Sequence, residues 1–277
     1  MTDMTPAWRL LPYNKCSASE NMAIDEAVLQ TTIEGRKPPT LRFYGWNPAA
    51  VSIGFFQDVQ NEVNIDKCRT SGIDVVRRLT GGKAVLHNAE LTYSVAAGDY
   101  DDSFPSDILG TYKTISRCLV EGLSRLGIKA GLAEQSRAPA ENQFKSCCFA
   151  AASRYELLVD GRKICGSAQK RKKGGFLQHG SLLIDFDPGK SASLMLPPRS
   201  DGEMSILTNS VTSISRQTGR YIEPEEIYSI MKESFSAILG VAINEALLSG
   251  EEIELKNKLI NKYNDINWNR DENADIS

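Results

Sequence analysis

The chain reads as an α+β fold: a mixed or antiparallel sheet flanked by helices, with a helical C-terminal segment. Three observations carry that reading. Two runs, Arg154 to Val159 and Lys163 to Ala168, alternate around Asp160-Gly161, a dipeptide suited to the positive φ angles of a tight hairpin turn. Helical periodicity is confined to a few long segments and does not alternate regularly with strands, as it would in a parallel βαβ sheet. Beyond Pro188 the sequence shifts to loop and helix patterns.

Each element follows from local chemistry. Cys16 to Glu34 predicts a helix, because Ser17-x-x-Glu20 forms a capping-box pattern and Met22, Ala23, Ala27, Val28 and Thr31 recur at helical spacing before Gly35. Leu41 to Tyr44 and Ala50 to Gly54 predict two strands around a turn at Trp46-Asn47-Pro48. Asn64 to Ser71 predicts a short helix leading to a strand over Asp74 to Leu79, and Leu91 to Ala97 predicts another strand. Apolar residues at 108, 112, 115, 119, 123 and 126 predict a helix that Gly127 stops. Gln178 to Phe186 reads as a further strand. Pro197-Pro198 and the polar run Arg199 to Glu203 read as loop, Pro224 opens one helix and Ser249-x-x-Glu252 opens another.

Composition narrows the function. The chain has 277 residues, 41% apolar and 24% charged, enough for a substantial core. Thirty-two Lys and Arg against 35 Asp and Glu give a net charge of -3, which argues against a protein that tracks a nucleic-acid backbone. No window approaches the roughly 18 consecutive apolar residues of a membrane span, and the N-terminus lacks a secretory pattern, so a cytoplasmic protein is expected. The six cysteines show no regular framework and are expected to be free thiols. His87 and His179 are the only histidines, and no close metal-ligand spacing accompanies them. No cofactor is expected.

Three segments carry chemistry. Arg77 to Ser94 joins a strand to Gly81-Gly82, then His87, then another strand. Glycine lets backbone approach a ligand, and two arginines suit an anionic or carbonyl-bearing group, although such a turn between strands can equally be only a turn. Cys147 and Cys148 precede Phe149 and three alanines, where a thiol is either accessible at a pocket edge or buried and inert. Lys163 opens the returning hairpin strand; it is either an ordinary strand lysine or the cation that keeps a thiolate ionised. Strict alternation places Lys163, Cys165 and Ser167 on one face. Arg162 to Lys173 holds six cations and no acid, the pattern of a solvated hairpin tip or of a docking patch for an acidic carrier protein.

Taken together, the segments SENMAIDEA (19–27), LRFYGWNPAAVSIGFFQ (41–57), RRLTGGKAVLHNAELTYS (77–94), CFAAASRYEL (148–157) and GRKICGSAQKRKKGGFLQHGSLL (161–183) resemble the lipoate and octanoate branch of the biotin/lipoate protein ligase superfamily. Within it, the chain is most similar to the octanoyl-[acyl carrier protein]:protein N-octanoyltransferases of Gram-positive type. The resemblance implies the catalytic-domain fold of that superfamily over residues 1–246, with residues 247–277 forming a C-terminal helix and tail. It also implies that Cys148 accepts octanoate as a thioester and that Lys163 lowers its pKa and returns a proton to the departing thiol. Arg77, Arg78, Thr80, Gly81, Gly82 and His87 are then expected to wall the channel for acyl chain and acceptor lysine, and Gly166 and Ser167 to bind substrate. Asn88 and Ala152 depart from the family pattern, which has an acidic residue and a proline there. The expected donor is octanoyl-acyl carrier protein. The expected acceptor is a lipoyl-type protein such as glycine cleavage H protein or an E2 lipoyl domain, served by a monomeric enzyme without bound membrane or nucleic acid. The competing readings are an ATP-dependent lipoate protein ligase, an octanoyl amidotransferase acting between carrier proteins, and a binding module without chemistry.

Overall fold

The structure is a computed structural model, and it describes residues 7–133, 156–198 and 200–270. Strand β1 (Ala7–Cys16) leads into helix α1 (Ala18–Ile33), where the Ser17 hydroxyl accepts from the Glu20 N–H and caps the first turn. Next come β2 (Thr40–Trp46), β3 (Ala50–Ile53), α2 (Val59–Glu62), α3 (Ile65–Thr70), β4 (Asp74–Arg77), β5 (Val85–His87) and β6 (Glu90–Gly98). Helix α4 (Ile108–Arg125) ends where Gly127 takes φ +79°. It is followed by β7 (Gly131–Leu132), β8 (Leu157–Val159), β9 (Arg162–Lys172) and β10 (Gly175–Leu183). The C-terminal third holds α5 (Pro188–Ser193), α6 (Asp201–Ser210), α7 (Ile214–Thr218), α8 (Pro224–Leu239), β11 (Ala242–Glu245), α9 (Gly250–Asn264) and α10 (Ile266–Arg270).

Among the described residues the main sheet has eight strands in the order β11-β1-β2-β6-β10-β9-β8-β7. The pairings of β1 with β11 and with β2 are parallel and the others antiparallel, so the sheet is mixed, as expected. Alternation along β6 distributes its side chains to two cores. Leu91, Tyr93, Val95 and Ala97 pack with Ile115 and Leu119 of α4 and with Met231 and Phe235 of α8. On the other side Ala96 joins Met22 and Ala23 of α1, Tyr44 and Trp46 of β2, and Tyr263 of α9. A second sheet, β4-β3-β5, stands beside the second core and carries the chain into the paired glycines.

The expected helices over 16–34, 64–71, 108–126, 224–238 and 249–260 all form, and so do the strands around 41–44, 50–54, 74–79, 91–97, 163–168 and 178–186. Asp160 (φ +49°) and Gly161 (φ +74°) make the tight turn between β8 and β9. Three expectations need correction. Strands β2 and β3 do not pair around their turn, because β2 enters the main sheet between β1 and β6 whereas β3 joins β4 and β5. The polar stretch read as loop contains a helix start, since Ser200 and Glu203 form a reciprocal capping box at the head of α6. The third correction concerns Lys163 and belongs to the site.

No helix among the described residues is long and apolar enough to cross a membrane.

Candidate active site

A narrow cleft opens where the glycine loop meets the middle of the main sheet. Its walls include Arg78 and Gly82 of the loop, Ser52 of β3, His87 of β5, Gly166 and Ala168 of β9, and His179 and Ser181 of β10. Met22, Tyr44, Trp46 and Val85 complete an apolar interior.

The loop conformation is fixed by its own residues. Gly82 takes φ +90°, and a Cβ there would meet Arg78 Nη2 at 2.9 Å. A Cβ on Gly54 would strike the Gly82 carbonyl, so two backbones approach to a distance that only glycine permits. Inside the loop, Arg78 Nη2 donates to the carbonyls of Gly81 (2.7 Å) and Lys83 (2.8 Å), Nη1 to the Ser52 carbonyl (3.0 Å), and Nε to Thr80 Oγ1 (3.2 Å). This buried guanidinium therefore ties together the backbone of the loop it belongs to.

Two histidine arrangements flank the cleft. His179 Nε2 lies 2.6 Å from Thr80 Oγ1 and its Nδ1 lies 3.5 Å from Asp25 Oδ2. A carboxylate can only accept, so Nδ1 carries the proton and Nε2 accepts from the threonine hydroxyl. Asp25 also accepts from Arg42 Nη1 (2.8 Å), Tyr44 Oη (2.9 Å) and Ser94 Oγ (3.0 Å). Burial alone would lift the Asp25 carboxyl, but the bonds from His179 and Arg42 outweigh it and hold it below the usual carboxylate range. Burial pushes His179 below the ordinary imidazole value against the pull of Asp25. On the other wall, His87 Nε2 meets Ser52 Oγ at 2.7 Å, its Nδ1 faces Glu90 Oε1 at 3.4 Å, and Trp46 stacks on its ring with centroids 4.1 Å apart. With most of their polar atoms engaged in this network, these side chains wall a cleft suited to an apolar chain.

Lys163 lies in β9 with 2% of its surface exposed, and its Nζ donates to Glu156 Oε1 at 2.7 Å. Strict alternation does not hold here. The register shifts so that Leu157 faces Cys165 while Leu158 faces Lys163, which leaves Ile164 as an extra residue and puts both Ile164 and Cys165 in the α4/α8 core. Since neighbours on β8 face opposite sides, Lys163 turns to the face on which Ala168 pairs with His179, away from Cys165. Cys165 is a core residue whose thiol burial pushes up to about 12, and Ser167 Oγ is 2.7 Å from Tyr93 Oη.

A family model for the lipoyl protein ligase A/B catalytic domain matches residues 17–236. Octanoyltransferase LipM of Symbiobacterium thermophilum is 40% identical over 273 residues, covering 96% of this chain and 99% of that protein. LipM of Bacillus subtilis is 37% identical over 270 residues, covering 95% and 97%. The chain belongs to the lipoyl protein ligase A/B catalytic-domain family. Within it the chain groups with the octanoyltransferases named LipM, and it is an enzyme of the acyltransferase class. Among solved structures, a lipoate-protein ligase A bound with ATP is 25% identical with a TM-score of 0.78, covering 95% of this chain and 98% of that one. A lipoate protein ligase from Thermoplasma acidophilum with bound lipoic acid agrees equally well, at 25% identity, a TM-score of 0.78 and the same coverage of both chains.

Of the family residues expected in the site, the fold brings Arg78, Gly82, His87, Gly166 and Ser167 to the cleft, with Thr80 just behind His179 and Gly81 in the loop. Arg77 stands apart from it. Its guanidinium donates to the carbonyls of Phe55 and Gln57 (both 2.7 Å) and of Trp268 (2.9 Å), so it anchors the loop's root instead of lining the cleft. Cys147, Cys148 and Ala152 lie outside the described residues. Sequence reasoning missed Asp25, Arg42, Ser52, Glu90 and Glu156. A polar DE pair on the buried side of a helix is the one signal that could have found Asp25.

Proposed function

We propose that this enzyme transfers an octanoyl group from octanoyl-acyl carrier protein to a specific lysine of a lipoyl-type carrier protein, through a thioester on Cys148, in lipoate biosynthesis. The observation that carries the reading is the near-full-length similarity to octanoyltransferases, in a chain that retains both Cys148 and a buried Lys163. The solved ligase from Thermoplasma acidophilum described with its E2 lipoyl domain, 25% identical with a TM-score of 0.78, supports a lipoyl-type acceptor.

In this mechanism the Cys148 thiolate attacks the donor thioester while Lys163 supplies positive charge beside it. The acyl chain occupies the apolar cleft between Met22, Trp46 and Val85. The amine of the acceptor lysine then attacks the acyl-enzyme to give an amide, a downhill exchange that needs no ATP. Residues 1–246 serve as the catalytic domain and 247–277 as its C-terminal helix and tail, in a cytoplasmic monomer.

The deciding experiment incubates the protein with octanoyl carrier protein and an apo lipoyl-domain protein, with and without ATP, and follows acylation by peptide mass spectrometry. Acylation of Cys148 before the acceptor lysine, without ATP, is expected. An adduct on another residue, or a strict ATP requirement with free octanoate, refutes the reading and favours a ligase.

A further inference from the structure

The six cations between Arg162 and Lys173 do not share one fate. Lys163 is buried against Glu156, and Arg162 lies 3.9 Å from Asp160 across the hairpin turn. Arg171 turns to the α4 face, where its Nη2 donates to Thr111 Oγ1 at 2.6 Å and its Nη1 lies 3.8 Å from Asp99. The other three line one edge. Pairing of β9 with β10 runs unbroken from Cys165 to Lys172, so alternation puts Lys170 and Lys172 on the same face as Ala168, a wall residue of the cleft. Lys173 follows in the turn. At the usual strand rise, Lys172 stands about 13 Å along β9 from Ala168. Lys172 and Lys173 are exposed, and neither ammonium has an ion pair or hydrogen bond among the described residues.

An aromatic knob stands beside this row. Phe56 is 75% exposed, packs edge-on against Phe55 with ring centroids 5.0 Å apart, and lies 3.9 Å from where a Cβ on Gly81 would sit. Lys170 Nζ lies 4.8 Å over the Phe55 ring, which joins the knob to the cations. Acids on adjoining elements are engaged elsewhere: Asp58 caps α2, Glu34 pairs with Arg36, and Asp99 faces Arg171 on the other side of the sheet. An exposed ring rimmed by uncommitted cations is the anatomy of a protein-docking surface. With a net charge of -3 the chain as a whole does not attract an acidic partner, so the attraction must be local.

We propose that Phe56, Lys170, Lys172 and Lys173 dock the acyl donor, an acidic carrier protein that holds octanoate as a thioester on a phosphodiester-linked arm. The inference rests on the proposed function, which supplies that donor. Charge selects the donor over the acceptor: the donor brings a phosphate and acidic side chains, whereas the acceptor presents a lysine, a cation that a row of ammonium groups repels. The arm then follows β9 from the tip to the cleft.

The test is direct binding of fluorescently labelled octanoyl-acyl carrier protein and, separately, of an apo lipoyl-domain protein to the full chain. The variants are Lys172→Glu/Lys173→Glu, Phe56→Ala, and the charge-matched control Arg117→Glu/Lys129→Glu on the α4 side of the sheet. At about 50 mM salt the lysine reversal should weaken donor binding roughly tenfold and Phe56→Ala about threefold, while the control pair changes it little. The difference between wild type and the lysine reversal should shrink several-fold at about 500 mM salt, where exposed charges are screened. Acceptor binding should stay at the wild-type level in every variant. Donor binding that the lysine reversal weakens no more than the control pair does overturns the proposal, and so does a loss confined to the acceptor. Wild-type protein that binds no acyl carrier protein overturns the proposed function with it, whereas wild-type binding that the lysine reversal leaves intact overturns this proposal alone.

Discussion

Thr80 and His179, 99 residues apart in the chain, meet at 2.6 Å and so fasten the glycine loop to the central strand β10. Because Asp25 fixes the imidazole tautomer, the threonine is the donor in that bond, and its removal leaves a buried nitrogen lone pair unmatched. Thr80→Val should cost about 1–3 kcal/mol in urea unfolding and slow acyl-enzyme formation. Wild-type stability combined with full activity would show that the bond does not organise the loop. The same histidine sets a pH dependence. Its folded pKa is depressed, so its contribution is present above the unfolded imidazole value and is lost as pH falls through the folded one. A urea midpoint that declines as pH drops below about 6.5, with a smaller decline in His179→Gln, is the expected result.

Gly82 and Gly81 offer a matched comparison. Gly82 has φ +90° and a Cβ would sit 2.9 Å from Arg78 Nη2, whereas a Cβ on Gly81 finds Phe56 Cδ2 at 3.9 Å and no left-handed backbone. Gly82→Ala should destabilise by about 1–2 kcal/mol and lower transfer, because it both strains the backbone and displaces the arginine that ties the loop. Gly81→Ala should change the thermal midpoint little. Equal effects at the two positions would refute the distinction.

How far the sequence led depends on which interactions are local. The hairpin at Asp160-Gly161 and the helix starts at Ser17, Pro224 and Ser249 were legible, because turn and cap chemistry lie within four residues. Strand β1 was not, since Pro12 and a register shift between Leu11 and Asn14 break its alternation. The orientation of Lys163 was hidden for a similar reason: an extra residue at Ile164 reverses the face without altering the composition of the strand. Asp25 was unreadable as a site residue because its partners Arg42, Ser94 and His179 are 17, 69 and 154 residues away in the numbering, and only the fold assembles them. Arg77 ends β4 and Arg78 follows it, and although adjacent in sequence they bond different backbones, Arg77 those of Phe55, Gln57 and Trp268 and Arg78 those of Ser52, Gly81 and Lys83.

Helix α10 reaches the root of the glycine loop. Trp268 Nε1 donates to the Arg77 carbonyl at 3.1 Å, Arg77 Nε donates back to the Trp268 carbonyl at 2.9 Å, and the Arg77 N–H donates to Asn269 Oδ1 at 2.8 Å. Trp268→Ala should cost about 3–5 kcal/mol through the cavity it leaves against Phe55 and Tyr263. Trp268→Phe, which keeps most of the packing and loses the donor, should cost less but still reduce the transfer rate. Unchanged transfer in Trp268→Phe would mean that packing alone secures the root.

The deepest attachment of α9 is the pair between Arg9 and Glu252. The guanidinium donates to both carboxylate oxygens, at 2.7 and 2.6 Å, while Thr31 Oγ1 (3.0 Å) and the Ser249 N–H (2.8 Å) complete the shell. Burial lifts this carboxyl, but the bonds from Arg9 and Ser249 outweigh it and hold it down to about 2. Since the folded pKa is depressed, the stabilisation is fully present above the ordinary glutamate value and disappears as pH falls toward 2. Glu252→Gln leaves Arg9 buried without its counter-charge and should cost about 3–5 kcal/mol at pH 7. Below pH 4.5 the unfolded wild-type chain takes up a proton that the folded carboxylate resists until about pH 2, so the gap between the two proteins in urea unfolding should close progressively toward pH 2. A gap that stays constant from pH 7 to pH 2.5 would show that the glutamate acts by shape and not by charge.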